Sequence, residues 1–451
     1  MVPTEVDVSV PVDEPPAARR RWPRVVWLAC GLGALVGYAT LPWEWSFIDD
    51  TGALAILHGQ QDAHGTLGGI LGAAHVWYRL DLDWGLFRPA WWLYGGVFYV
   101  LPAGAAHAVR LVMLGAAVAG PLALVPRARP VLVWAAAVVA ANVSLYRGLW
   151  YVSLQELSGL CFVGLGLLAR RRPWLRLVCF LCAAWFKAPY AWLLVGYGAL
   201  LLFRRGTRWW GLASAVLGVA TLGTAVVFAR SGSYTAGLEF GAQRVLDNVH
   251  TAGVALAPVV VVLVAGAVAL RVRPAWRDVD PLGPGLVLGG LGYAANLLPW
   301  QTGVHYASPY VYLIGVGVLV VLAPGARAAV ARWWLAGGLA VAVVVALLAV
   351  FAGGRYVYRN AATTTGLRDC LLDLPDGSAV GYNRPEAWDR LNAIMRYHRP
   401  ATRTRVALIP NGTPGPGLGY YIWEPEYGPG TPELRGPVVC RTPLATVYRT
   451  H

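Results

Sequence analysis

Runs of about 17 to 21 predominantly apolar residues recur along this chain, each long enough for an α-helix to cross a ~30 Å hydrocarbon core. Inside hydrocarbon, every backbone N–H and C=O must find its partner within the protein, and runs of this length satisfy that as helices. About eleven such runs are present, at roughly 24–42, 106–125, 131–146, 150–169, 174–187, 188–203, 209–229, 252–270, 284–300, 307–323 and 333–352. The neighbours 174–187 and 188–203 are short and read as a broken or tilted pair. A lone secretory signal is excluded, because the first run is long and many follow it. Composition agrees, at 57% apolar and 13% charged residues. The expected fold class is an all-α polytopic membrane protein of about eleven transmembrane helices.

Charge orients the bundle. Cytoplasmic loops carry the excess of Lys and Arg, and here the basic clusters alternate with the runs. Arg19, Arg20, Arg21 and Arg24 precede the first run, and Arg127 and Arg129 follow the second. Arg170, Arg171, Arg172 and Arg176 separate the fourth from the fifth. Arg204, Arg205 and Arg208 follow the sixth, Arg271, Arg273 and Arg277 the eighth, and Arg327 and Arg332 the tenth. A cytoplasmic N-terminus satisfies every cluster, and an odd number of runs then puts the C-terminus outside. The acids distribute the other way. Between residues 22 and 353, Glu44, Asp49, Asp50, Asp62, Asp81, Asp83, Glu156, Glu239 and Asp247 fall outside, and Asp278 and Asp280 inside. Chemistry that needs carboxylates is therefore expected at the outer face of the cytoplasmic membrane. The net charge of +14 reads as attraction to anionic lipid of the inner leaflet. No basic stripe with interleaved aromatics occurs in a soluble segment, so nucleic acid is not an expected partner.

Residues 1–20 show no helical period and read as a disordered cytoplasmic tail. Residues 21–352 form the transmembrane domain, with a large outer loop at 43–105. The pieces 51–60 and 67–80 of that loop are apolar on one side and read as short helices lying in the interface, with Trp77 and Tyr78 at headgroup level. After residue 353 the composition shifts to Pro, Gly, Asp and Arg. Strand-like runs appear at Ser378–Tyr382, Val406–Ile409, Tyr420–Trp423 and Val438–Cys440, and Glu386–His398 reads as a helix. Residues 353–451 are thus expected to form a small extracytoplasmic α/β domain. Cys30, Cys161, Cys179 and Cys182 lie in apolar runs and read as small core residues. Cys370 and Cys440 stand in the C-terminal outer segment, where an oxidising compartment permits a bridge.

Two short motifs give the layout a chemical reading. The first run surfaces in Trp43-Glu44-Trp45-Ser46-Phe47-Ile48-Asp49-Asp50, an acidic pair at the membrane exit. The long outer loop then contains Leu86-Phe87-Arg88-Pro89. With an inside N-terminus, interfacial helices and a many-span bundle, this constellation resembles the GT-C superfamily, integral-membrane glycosyltransferases that take sugar from a polyprenyl-phosphate donor. The resemblance covers the layout of most of residues 24–350, and its residue-level matches are Asp49-Asp50 and Arg88-Pro89. The Trp-Trp-Asp-Tyr-Gly signature of the oligosaccharyltransferase branch is absent, since Trp91-Trp92-Leu93-Tyr94-Gly95 lacks the Asp. That departure argues against transfer of a whole oligosaccharide.

Transfer of a sugar to a hydroxyl needs a base, and a carboxylate in a partly desolvated cleft can serve. The resemblance nominates Asp49 as that base, with Asp50 orienting it or the acceptor. The plainer alternative is that one of the two caps an interfacial helix starting at Thr51. The leaving group is a phosphate, so fixed cations are required. Arg88 is one candidate. Lys187 is the other, the one lysine among 37 basic residues, placed at membrane depth where an ionisable group is a functional hypothesis by default. Its alternatives are an ion pair with Glu156 or snorkelling to the interface. Asp81-x-Asp83 has the spacing with which nucleotide-sugar enzymes hold a divalent metal, and an exposed acidic turn is the competing reading; metal use is left open. Glu156 and Arg147 flank the same outer face, and His305 lies in another outer loop, so Glu156 and His305 join Arg88, Lys187, Asp81 and Asp83 as candidate substrate-binding residues.

The expected function is glycosyl transfer from a polyprenyl-phosphate sugar to a glycan, lipid or protein acceptor. A flippase or transporter of lipid-linked saccharides is the alternative, which predicts broken helices and polar groups at the bilayer midplane in paired halves. A non-enzymatic cell-envelope assembly protein is a third class. No nucleophile-elbow, Walker or HExxH pattern occurs, so ATP-driven transport and soluble-type hydrolysis are unsupported.

Overall fold

The computed structural model describes residues 45, 50–146, 155–233, 241–273, 279–299, 306–326, 355, 358–384, 388–409, 417–427 and 436–450. The tail at 1–20, the runs at 24–42 and 333–352, Asp49, Arg147 and His305 lie outside the described residues.

The segment 50–98 folds as α1 (Asp50–Trp84) and α2 (Pro89–Phe98). α1 turns back on itself at Gly65, where φ is 71° and ψ −179°. That conformation is essentially restricted to glycine. The two arms then press together: a Cβ on Gly69 would lie 2.7 Å from the Cα of Gln61. The pieces 51–60 and 67–80, expected as separate short helices, lie in the two arms of this hairpin. The second arm runs on to Trp84 and so takes in both Asp81 and Asp83. α2 begins with Pro89 at its first turn, where a missing N–H costs nothing. It buries Trp91, Tyr94, Gly95 and Gly96 against the hairpin and leaves Leu93 and Val97 exposed.

The bundle follows as α3 (Ala103–Leu124), α4 (Arg129–Ala140), α5 (Gln155–Leu168), α6 (Pro173–Phe186), α7 (Ala191–Leu202), α8 (Arg208–Ser231), α9 (Ala242–Ala269), α10 (Leu282–Leu297) and α11 (Ala307–Leu322). Each coincides with one of the apolar runs. Among the described residues, Ala103–Leu124, Arg205–Arg230, Ala242–Ala269 and Ala307–Gly325 are long and apolar enough to cross a membrane by length and composition. α5, α6 and α7 are shorter, and a 3₁₀ turn at Ala188–Tyr190 joins α6 to α7. α5 and α11 are buried on almost every side and form the centre. α8 and α9 expose rows of apolar side chains, including Trp209, Val216, Val227, Val254, Val264 and Val268. Such rows suit lipid, which does not penalise apolar exposure. α3 and α5 meet closely enough that a Cβ on Gly120 would stand 2.7 Å from the carbonyl oxygen of Gly164. Glycine at a helix crossing lets two backbones approach for dispersion contact.

The C-terminal segment holds a helix at 358–372, α12, then β1 (Ala379–Tyr382), α13 (Trp388–His398), β2 (Arg405–Leu408), β3 (Tyr420–Trp423), β4 (Val438–Arg441) and β5 (Thr446–Arg449). The sheet order is β2-β1-β3-β5-β4, parallel across β2-β1-β3 and antiparallel across β3-β5-β4. Cys370 of α12 is bridged to Cys440 of β4, with Cα atoms 6.4 Å apart. This segment does not stand apart. Leu367, Leu371, Ile394 and Met395 share one buried apolar cluster with Trp45 and with Leu54, Leu57 and Trp77 of α1. The ring of Tyr397 on α13 stacks on His58 of α1, with centroids 5.5 Å apart and planes 4° from parallel.

Candidate active site

Charged side chains converge where α1 and α2 meet one end of the bundle. Asp50 opens α1 and is fully buried, and its carboxylate accepts a hydrogen bond from the Tyr99 hydroxyl at 2.7 Å. Tyr99 lies just beyond α2, its ring 5.1 Å from that of Trp45. Trp45 also meets His107 at 6.3 Å and, edge-on, Tyr397 at 6.4 Å. A carboxylate without water must be compensated by donors, and Tyr99 is one of them.

Asp81, at the end of the hairpin, is likewise sealed from solvent. It pairs with Arg88, whose Nε donates at 3.2 Å and whose Nη2 donates to the other oxygen. Trp92 Nε1 adds a third donor at 2.8 Å. Asp83 is exposed, and its backbone carbonyl accepts from the amide and hydroxyl of Ser233 at 2.8 and 2.9 Å. The Asp-x-Asp spacing therefore does not present two converging carboxylates, because residues two apart on a helix point about 200° apart around its axis. Among the described residues no three His, Cys, Asp or Glu side chains are grouped as metal ligands.

Glu156, in the first turn of α5, is buried and forms an ion pair with Lys187, the residue that ends α6. Lys187 Nζ also lies 4.0 Å from the centroid of the Tyr306 ring. The backbone carbonyl of Glu156 accepts from Tyr190 at 2.8 Å. Next to it, the Gln155 side-chain amide takes the orientation its neighbours require. So placed, it donates to the Phe186 carbonyl at 2.7 Å and accepts from Arg88 Nη1 at 2.6 Å. Arg110 on α3 is fully buried and ties the loop helices to the bundle, donating to Tyr94 at 3.1 Å and to Ser158 at 2.9 Å.

Asp50, Asp81, Arg88, Glu156 and Lys187 are thus gathered at one end of the helices, and Asp83 is not among them. Chemically, the arrangement offers sealed carboxylates beside cations that keep partial access to solvent. No protein-family model matches the chain, and no curated protein matches it significantly. Two solved structures match over nearly their full length. One is ArnT from Cupriavidus metallidurans in the apo state, at 13% identity and a TM-score of 0.51, covering 96% of this chain and 99% of that one. The other is the same protein bound to undecaprenyl phosphate, at 13% identity and a TM-score of 0.50, covering 94% and 98%. The chain shares the overall fold of ArnT.

The four long apolar helices among the described residues, set in that shared fold, make this a multi-pass membrane protein. At this level of identity the likeness carries the fold and not the roles of individual residues. Those rest on the geometry above. Several residues of the site escape sequence reasoning. Arg110 carried a usable signal, a guanidinium inside an apolar run away from the basic clusters, which deserved the same suspicion as Lys187. Gln155, Tyr99 and Tyr306 carried none, since neutral polar and aromatic residues are common near membrane interfaces.

Proposed function

We propose that this protein is a membrane glycosyltransferase that moves a sugar from a polyprenyl-phosphate donor to a hydroxyl-bearing glycan, lipid or protein acceptor outside the cytoplasmic membrane. The observation that carries the reading is the convergence of Arg88 and Lys187 with the Asp50 carboxylate at one end of a GT-C fold. The structural neighbour bound to undecaprenyl phosphate supports the donor class. In the reaction, the acceptor oxygen attacks the anomeric carbon and the bond from that carbon to the phosphate oxygen breaks. The acceptor proton passes to a carboxylate, assigned to Asp49 of the acidic pair, with Asp50 orienting the acceptor. The phosphate departs with one more negative charge, which Arg88 and Lys187 balance. Asp81 and Glu156 hold the two cations, and His305 remains a candidate acceptor contact. The alternation of Arg clusters supports an outward site.

The test uses the full chain in nanodiscs with radiolabelled undecaprenyl-phosphate sugars, alongside membranes from a strain lacking the protein. Transfer by the purified protein and accumulation of a polyprenyl-phosphate sugar in the deletion strain are expected. No transfer from any such donor, with no accumulation, removes the reading.

A further inference from the structure

The two cations and their carboxylates are not equally accessible. Asp81 is wholly buried and the Glu156 side chain is 4% exposed, while the Arg88 and Lys187 side chains keep 17% and 18% of their surface. A ligand reaching this cluster therefore meets positive charge first, with the compensating acids behind it. The cations come from distant parts of the chain, Arg88 from the loop before α2 and Lys187 from the end of α6. One dipeptide on α5 reaches both. Glu156 pairs with Lys187, and Gln155 accepts from Arg88 Nη1 at 2.6 Å while donating at 2.7 Å to the carbonyl of Phe186, the residue preceding Lys187. Gln155 is itself buried, so its amide has no water to replace either partner.

We infer that Gln155 is a positioning residue that sets Arg88 and Lys187 at a fixed spacing, making one two-cation seat for a single phosphate group. This rests on the proposed function for the identity of the phosphate, and it adds a residue and a coupling which that reading does not contain. A neutral amide suits the task. It accepts from the guanidinium without neutralising it, as a third carboxylate would. Its other end is anchored to backbone, which moves less than a side chain. Fixed donors cost no reorganisation when charge develops on the departing phosphate. Glu156 and Tyr306 hold the Lys187 ammonium from its other sides.

The experiment measures undecaprenyl phosphate binding to the full chain in nanodiscs by native mass spectrometry, with thermal melting as a check on folding. Gln155→Met keeps the length of the side chain and removes both hydrogen bonds. Gln155→Glu keeps its shape and places a charge against Arg88. Both are expected to weaken binding about tenfold or more, with Gln155→Glu the weaker binder. The decisive readout is a double-mutant cycle between Arg88→Met and Lys187→Met. With Gln155 present the two losses are expected to be non-additive, and with Gln155→Met they become additive. A merely structural glutamine lowers melting temperature without altering that coupling. Wild-type affinity and unchanged coupling in the variants overturn the inference and leave the proposed function standing. If the wild type binds no undecaprenyl phosphate, the donor assignment fails and the seat fails with it. Should one variant not be recovered folded, the other decides by the same criteria.

Discussion

A buried charge tolerates the loss of its partner poorly, and that governs how substitutions at the site must be read. Lys187→Met alone leaves Glu156 sealed without its cation, and breaking a buried pair in this way costs about 3–5 kcal/mol. Removing both charges in Lys187→Met/Glu156→Gln is expected to recover most of that stability while use of the phospholipid donor stays impaired. Recovery of donor use together with stability would reduce Lys187 to a structural partner of Glu156. Asp49→Asn is expected to lower transfer by about 10²–10⁴-fold, the usual worth of a general base, with insertion and melting unchanged. Near-normal turnover moves the base to another carboxylate, with Asp50 first in line. In the C-terminal segment, Glu424 is buried and hydrogen-bonded to Tyr382 at 2.8 Å, with Arg384 at 3.3 Å. Burial raises its carboxyl above the ordinary 4.5, against the opposing pull of Arg384. The native state then holds the proton more tightly than the unfolded chain. The contribution of Glu424 to stability is full below 4.5 and is lost as pH rises through the raised native value. Melting curves of Glu424→Gln and wild type should therefore meet in acid and separate in the variant's favour toward neutral pH. A gap that does not vary with pH contradicts this.

At the scale of elements, the hairpin α1 is the piece on which the site depends. It carries Asp50 at one end and Asp81 at the other, and its reversal at Gly65 is what brings them to the same end of the bundle. Gly65→Ala puts a Cβ on a backbone at φ 71°, a strain of about 1–3 kcal/mol. The space around Gly65 is open, so the penalty is conformational and not a clash. The expected outcome is a lower melting temperature with donor affinity falling in step, and a variant as stable as wild type would show that the turn has another low-energy form. The helices themselves were legible in the sequence, since each apolar run within the described residues became a helix. Their ends were less so. α9 begins at Ala242, ten residues before the apolar run, because a helix continues into polar sequence wherever its backbone remains paired. Asp81 and Asp83 show the opposite limit. Their spacing left a metal pair open beside the plainer exposed acidic turn, and the helical backbone sends residues i and i+2 to nearly opposite faces, which buries Asp81 on Arg88 and exposes Asp83.

In the whole molecule, the C-terminal segment is docked and not merely appended. Trp45 meets Tyr397 of α13 on one side and Tyr99, the donor to Asp50, on another, so the C-terminal segment and the site share a wall. The Cys370–Cys440 bridge closes a loop with a sequence separation of 70 residues, for which the chain-entropy model assigns about 4 kcal/mol. Cys370→Ser/Cys440→Ser should lower the melting temperature, and non-reducing peptide mapping should recover the two cysteines in one linked pair. Two freely alkylatable thiols in the native protein exclude the bridge. Reporter fusion near residue 360 tests the sidedness on which an outward site depends, and a cytoplasmic readout there removes it.

What the sequence determined by itself was whatever depends on neighbours along the chain. Hydropathy over about 20 residues decides whether a segment can span a bilayer, and short β-rich runs mark the strands of the C-terminal sheet. What only the tertiary structure decided was which polar groups meet. Gln155 touches Arg88 across 67 positions, and Lys187 lies over Tyr306 across more than 100. No local pattern encodes such pairs. They exist because helices of fixed rise, packed around α5 and α11, bring their ends to one level, where any charge cut off from water must find a partner there.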